Sequence, residues 1–197
     1  MKSLMLAAVA CMVFAFANPV LAQQFDASFG VDTLNGISET SPTVSGLGSI
    51  TGGAYPVFGV NVLLKHNLGF NGEVSWRASQ GLYLGYQPFR PIFFDFNAIY
   101  APQINKRVGA ELVAGIGAES LRFYQPFFNC NFVSCTNYVS SNHFLGDFGG
   151  GIKFYVHGNF FVRPEARLYL INNNVEFSSG KAVRYGISIG YTARPMQ

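Results

Sequence analysis

Eight segments of this chain each present one face without a charge. They read as strands near Phe25–Leu34, Tyr55–Leu64, Leu68–Arg77, Ile92–Ala101, Val108–Glu119, Phe144–Val156, Phe160–Ile171 and Val183–Thr192. In one phase every second residue is apolar or small, as in Phe58, Val60, Val62, Leu64 or Val183, Tyr185, Ile187, Ile189, Tyr191. The opposite phase holds Asp26, Asp32, Glu73, Arg77, Asp95, Glu111, Glu119, Asp147, Lys153, Arg163, Glu165, Arg167 and Arg184. A period of two is that of a strand whose two faces meet different surroundings.

Size decides which face points outward. The apolar set contains about thirteen aromatic rings, and the interior of an eight-stranded barrel is only just wide enough for side chains. The rings therefore belong outside, against lipid, with acids and bases inside where they can pair. Arg or Lys on the lipid face would cost about 2–4 kcal/mol at the midplane, which accounts for their absence there. Composition agrees. Charged residues make up 12% of the chain and aromatics 16%, where a soluble domain carries about 25% charged residues. Past the N-terminus no apolar run approaches the roughly 20 residues of a spanning helix. Only helices and closed barrels satisfy every backbone group in lipid. The sequence thus predicts an all-β protein, an eight-stranded antiparallel up-and-down transmembrane β-barrel. A soluble ligand-binding barrel is the alternative with the same pattern turned inside out.

The N-terminus reads as an export signal. Lys2 precedes an apolar core from Leu4 to Ala17, Asn18-Pro19 breaks it, and Val20 and Ala22 are the small residues of a peptidase site. Residues 1–22 are expected to be a cleaved signal peptide and residues 23–197 the barrel domain. Cys11 after Ala8-Val9-Ala10 is a weak match to a lipoprotein box. The formal charge of +3 becomes +2 without Lys2, which leaves no nucleic-acid footprint. Cys130 and Cys135 are the cysteines left after cleavage, and in an exported chain they read as a disulfide.

Connections alternate in length. Short ones lie at 65–67, 102–107 and 157–159, and long ones at 35–54, 78–91, 120–143 and 172–182. Short periplasmic turns and long outer loops are the habit of bacterial outer-membrane barrels. Phe25, Phe70, Tyr100, Phe160 and Tyr191 fall at the expected periplasmic end. Trp76, Phe148 and Tyr185 lie toward the other, so the two sets read as interfacial aromatic girdles. Pro164 lacks a ladder donor and favours a bulge.

In strand count, loop rhythm and face pattern the mature chain resembles the small outer-membrane barrels of the OmpA transmembrane-domain and OmpX type. The segment Phe161-Val162-Arg163-Pro164-Glu165-Ala166-Arg167 leading into Leu168-Tyr169-Leu170 is part of that resemblance. It implies an integral protein of the Gram-negative outer membrane with both termini periplasmic. Outer-membrane lipid and the barrel assembly machinery would be its partners, and it would be a monomer. Two departures stand out. Residues Thr192 to Gln197 follow Tyr191, where such barrels often end on an aromatic residue, and a peptidoglycan-binding domain after the last strand is not expected.

The interior charges Glu73, Arg77, Asp95, Glu111, Lys153, Arg163, Glu165, Arg167 and Arg184 are expected to pair into a plug, because buried charge must be partnered. A narrow path for ions or small solutes is the alternative. Catalysis is not expected, although lipid-modifying enzymes exist among small barrels. His66 and His157 lie in short turns. His143 follows Ser140-Ser141-Asn142 at an outer rim with Asp147 nearby, which is not a nucleophile, base and acid set. No cofactor or metal is expected. The long loop at 120–143, rich in aromatics and Asn and pinned by its cysteines, is the expected contact surface for an extracellular ligand.

Overall fold

A computed structural model of the chain describes residues 24–37, 49–64, 66–130, 135–177 and 180–193. The expected signal peptide and the segment after Ala193 lie outside the described residues. Ten strands occur, β1 (Gln24–Gly36), β2 (Tyr55–Leu63), β3 (Leu68–Trp76), β4 (Gly81–Tyr83), β5 (Gln87–Tyr100), β6 (Gln103–Asn105), β7 (Val108–Cys130), β8 (Cys135–His157), β9 (Phe160–Ile171) and β10 (Lys181–Ala193). No described residue is helical. Eight of the strands close a ring in the order β1-β2-β3-β5-β7-β8-β9-β10, every neighbour antiparallel, with β1 paired to β10. The short β4 and β6 add to β5 and β7 at opposite ends.

The register sets the geometry. Followed across the ladder, Phe25 meets Val62, Phe70, Ala98, Ala114, Phe148, Leu168 and Val183, and the path returns to β1 at Asn35. A stagger of ten residues over eight strands, with strands ~4.8 Å apart and ~3.3 Å per residue, tilts the strands about 41° and gives a radius of about 8 Å. Each residue along a strand therefore climbs about 2.5 Å along the barrel axis. The strand ends at Gln24, Leu63, Leu68, Tyr100, Val108, His157, Phe160 and Ala193 share one end with β6, called here the turn end. The strand ends at Gly36, Tyr55, Trp76, Gln87, Cys130, Cys135, Ile171 and Lys181 share the loop end.

Within the eight segments read from the sequence, the charge-free phase turns outward. Phe29, Phe58, Phe96, Leu112, Ile116, Ile187 and Ile189 are all exposed, whereas Asp26, Asp95, Arg163 and Arg184 are buried. Inward glycines make room for the large polar side chains. A Cβ on Gly149 would stand 2.8 Å from Cγ of Arg167, and one on Gly151 3.0 Å from Cγ of Arg163. Pro164 produces no bulge between β8 and β9. The ladder keeps its register from Gly151–Glu165 to Phe154–Val162 and omits the two pairs between them.

Two differences from the sequence expectation concern the loop end. Residues 120–130 and 135–143 are not a free loop, because β7 and β8 continue through them to Cys130 and from Cys135. The ladder holds through Tyr124–Tyr138 and then skips register up to Asn129–Thr136, which pushes residues 125–128 out of the pairing. Within the stretch 78–91, β4 forms and β5 begins at Gln87, five residues before its expected start.

Candidate functional site

The lumen contains a continuous ionic ladder. At the turn end Lys153 bridges Asp26, at 2.5 Å, and Glu111. Glu111 also accepts from Arg163, 2.8 Å away, and Arg163 reaches Glu165 at 3.1 Å. Asn61 donates to Glu111, and Arg163 Nε donates to Ser188 Oγ at 3.1 Å. Halfway up, Arg167 contacts Glu73 at 2.7 Å, Asp147 at 2.6 Å and Asp95 at 3.4 Å. Asn97 ties Asp147 to Asn71. Higher still, Arg184 binds Glu73 and Asp32, donates to Ser75 Oγ at 2.9 Å, and lies over the Tyr169 ring at 5.3 Å. The Tyr169 hydroxyl donates to Asp95.

The ladder contains eight of the nine lumen charges named from the sequence. Arg77 stands apart, with its guanidinium 5.5 Å from the Phe89 ring at the loop end and no ion pair among the described residues. Asp26, Asp32 and Asp147 join in its place, which brings the ladder to seven carboxyl groups against four cations.

An apolar layer stoppers the loop end. Above the ladder, Tyr55, Phe93, Phe89, Leu121, Leu145 and Phe177 form one buried cluster with Leu34, Ile50 and Ile171. Phe93 stacks on Tyr169 at 5.1 Å, and Phe89 meets Phe177 at 5.2 Å. Leu63, Ile99 and Val113 form a second buried cluster along one wall, beside the lowest rungs of the ladder, since Val113 lies two residues toward the loop end from Glu111 on β7. Two shallow hollows of about 570 and 500 Å³ lie on the outer surface instead, lined mainly by residues such as Phe70, Tyr100 and Leu112 or Phe29, Phe160 and Ile189.

Near the loop end, His143 Nε2 is 3.0 Å from Glu176 and 3.1 Å from Ser141 Oγ. A hydrolytic relay needs the acid on the ring nitrogen opposite the nucleophile. Here both partners approach the same nitrogen. Glu119 lies across from His143 in the ladder, fully buried, with neither carboxyl oxygen hydrogen-bonded among the described residues. His66 lies in the β2–β3 turn with φ 58°, and His157 ends β8. Among the described residues no group of three His, Cys, Asp or Glu side chains is placed to hold a metal ion.

The outer surface carries the aromatic residues. Phe25, Phe70, Tyr100, Phe160 and Tyr191 are exposed at the turn end, where Phe160 and Tyr191 pair with ring centroids 5.1 Å apart. Trp76 lies about 15 Å above Phe70 along β3. Phe148 and Tyr185 are also exposed, but they sit well below the level of Trp76. At the tip of the β7–β8 hairpin Cys130 and Cys135 form a disulfide with Cα atoms 4.0 Å apart. Phe127 and Phe128 beside it are 57% and 68% exposed.

No family model and no curated protein matches this chain. Solved structures do. Ail, the attachment invasion locus protein of Yersinia pestis, aligns with TM-score 0.58 at 13% identity over 88% of this chain and all of its own. The N-terminal barrel domain of Pseudomonas aeruginosa OprF aligns at 0.56 and 10% identity over 88% of this chain and 99% of that domain. Neisserial surface protein A aligns at 0.57 and 10% identity over 85% and 95%. At these identities the likeness is one of fold, and the chain has the fold of the small eight-stranded outer-membrane β-barrels.

Proposed function

We propose that this chain is an integral outer-membrane barrel with a closed lumen and no catalysis, a scaffold that displays the β7–β8 hairpin at the cell surface. Residues 1–22 act as the cleaved export signal. The turn end, with both termini, faces the periplasm. The barrel assembly machinery inserts the chain, and it acts as a monomer. The observation that carries this reading is the stoppered lumen. Four buried cations and seven carboxyl groups fill it from the turn end to its middle, and an apolar cluster closes the loop end. A lumen filled in this way is poorly suited to carrying a solute, which leaves the loop end as the working surface. The hairpin rises about 20 Å beyond Arg122 if its strands keep their tilt, and it ends in exposed aromatics. The attachment role in the name of Ail fits such a use, though it belongs to that protein alone.

Fractionation with a gel-shift assay tests the reading. The protein should pellet with outer membranes and migrate faster unboiled than boiled. Surface protease should clip the hairpin near residues 125–128 and leave the barrel intact. A soluble periplasmic product would overturn the membrane assignment, and a protected hairpin would overturn its orientation.

A further inference from the structure

The loop end carries two arginines on the face the proposal turns toward lipid. Arg90 on β5 and Arg122 on β7 are direct ladder partners. Both belong to the outward phase, since Phe89, Pro91, Leu121 and Phe123 point inward. Directly opposed side chains on antiparallel strands have Cβ atoms about 4.5–5.5 Å apart, and like charges placed so are destabilising. The nearby partners do not cancel the charge. Arg90 donates to the Ala78 carbonyl at 3.2 Å, Arg122 lies over the Tyr138 ring at 4.8 Å, and the Nε of each has no hydrogen-bond partner. Among the described residues no carboxylate faces outward. Eight acids point into the lumen, and Glu176 pairs with His143.

Their height is equally specific. Arg90 is ten residues from Tyr100 on β5, and Arg122 is ten from Leu112 on β7. At the barrel's tilt ten residues climb about 25 Å, the height of the apolar band of an outer-membrane barrel. Trp76 ends the ladder row just below them, paired with Ile92, which in turn pairs with Ser120. Below that row β5 and β7 expose Phe94, Phe96 and Ile116, and the neighbouring β8 exposes Phe144. Two uncompensated guanidinium groups thus sit at headgroup level above an acyl-compatible wall.

We propose that Arg90 and Arg122 together bind a phosphate group of an outer-leaflet lipid, whose acyl chains lie along the Phe94–Ile116–Phe144 face. The inference rests on the outer-membrane reading above. Planar guanidinium groups suit bidentate contact with phosphate, and a doubly charged phosphate would relieve the repulsion between them.

Native mass spectrometry of the refolded barrel in neutral detergent, titrated with diphosphoryl lipid A, tests it. Binding should be saturable and should weaken roughly tenfold or more in Arg90→Gln or Arg122→Gln, from lost charge-assisted hydrogen bonds. The Arg90→Lys/Arg122→Lys pair should fall between wild type and the double Gln variant, because it keeps charge and loses the fork. Dephosphorylated lipid A should bind no better to wild type than to the double Gln variant. Equal binding by wild type and the double variant would overturn the site, as would full competition by inorganic phosphate at matched concentration, since lipid would then add nothing. The gel shift separates the two levels of failure. A heat-modifiable barrel without phosphate-dependent binding refutes the site alone, and a chain that never becomes heat-modifiable refutes the membrane reading with it.

Discussion

At the scale of the residue, the lumen is unbalanced toward acid, and that makes its cations and its carboxyls unequal. Arg167 touches three carboxyl groups and lies near a fourth. Removing one partner of a buried pair strands the other charge and costs about 3–5 kcal/mol. Arg167→Met strands several and should cost at least that, read as a lowered urea midpoint of the refolded barrel in vesicles. Asp95→Asn works in the opposite direction. It removes one charge from an acid-rich set, its one oxygen can still accept from Arg167 and Asn97, and its new amide can donate to the Tyr169 hydroxyl, so stability should change by less than about 1 kcal/mol. A destabilisation by Asp95→Asn matching that of Arg167→Met would mean the ladder needs every charge and not only its cations. Arg77→Met, which disturbs only the contact over Phe89, should stay within about 1 kcal/mol of wild type.

At the scale of the element, the β7–β8 hairpin separates what alternation can report from what it cannot. The charge-free phases were legible because lipid outside and a narrow lumen inside impose opposite demands on successive residues, and the outward exposure of Phe96, Leu112 and Ile187 follows that reading. Beyond Phe123, which still packs on the buried cluster, those demands end. Water meets both faces, Pro126 and the adjacent Phe127-Phe128 break the period, and strand pairing continues without a pattern to announce it. The buried cluster was hidden for a related reason. Ile92-Phe93-Phe94 is apolar in both phases, so the sequence alone does not tell that Phe93 stacks on Tyr169 inside. The disulfide closes only the tip, and the loop-entropy argument gives it at most about 2 kcal/mol. Cys130→Ser/Cys135→Ser should therefore speed amide exchange across residues 136–142, while the heat-modifiable shift of the barrel stays unchanged. Loss of that shift would assign the tip a role in barrel folding.

At the scale of the whole molecule, the fold stacks two layers inside one ring, ionic from the turn end to the middle and aromatic at the loop end. The radius of about 8 Å that follows from the stagger leaves little room once side chains point inward. The layers block a path in series, so conduction would require both of them to open together. The purified barrel in planar bilayers should accordingly show no steady conductance. Phe89→Ala/Phe93→Ala should not create one either, because Arg184, Tyr169 and Arg167 still span the lumen beneath the vacated space. Trimming the aromatic layer instead should lower the unfolding midpoint, since large-to-small changes in a packed core cost about 3–5 kcal/mol per Phe→Ala. Steady ohmic steps from the wild-type barrel would make the ladder the lining of a pathway and not a plug. Steps appearing only in the Phe89→Ala/Phe93→Ala variant would place the seal in the aromatic layer alone, with the ionic layer already permeable.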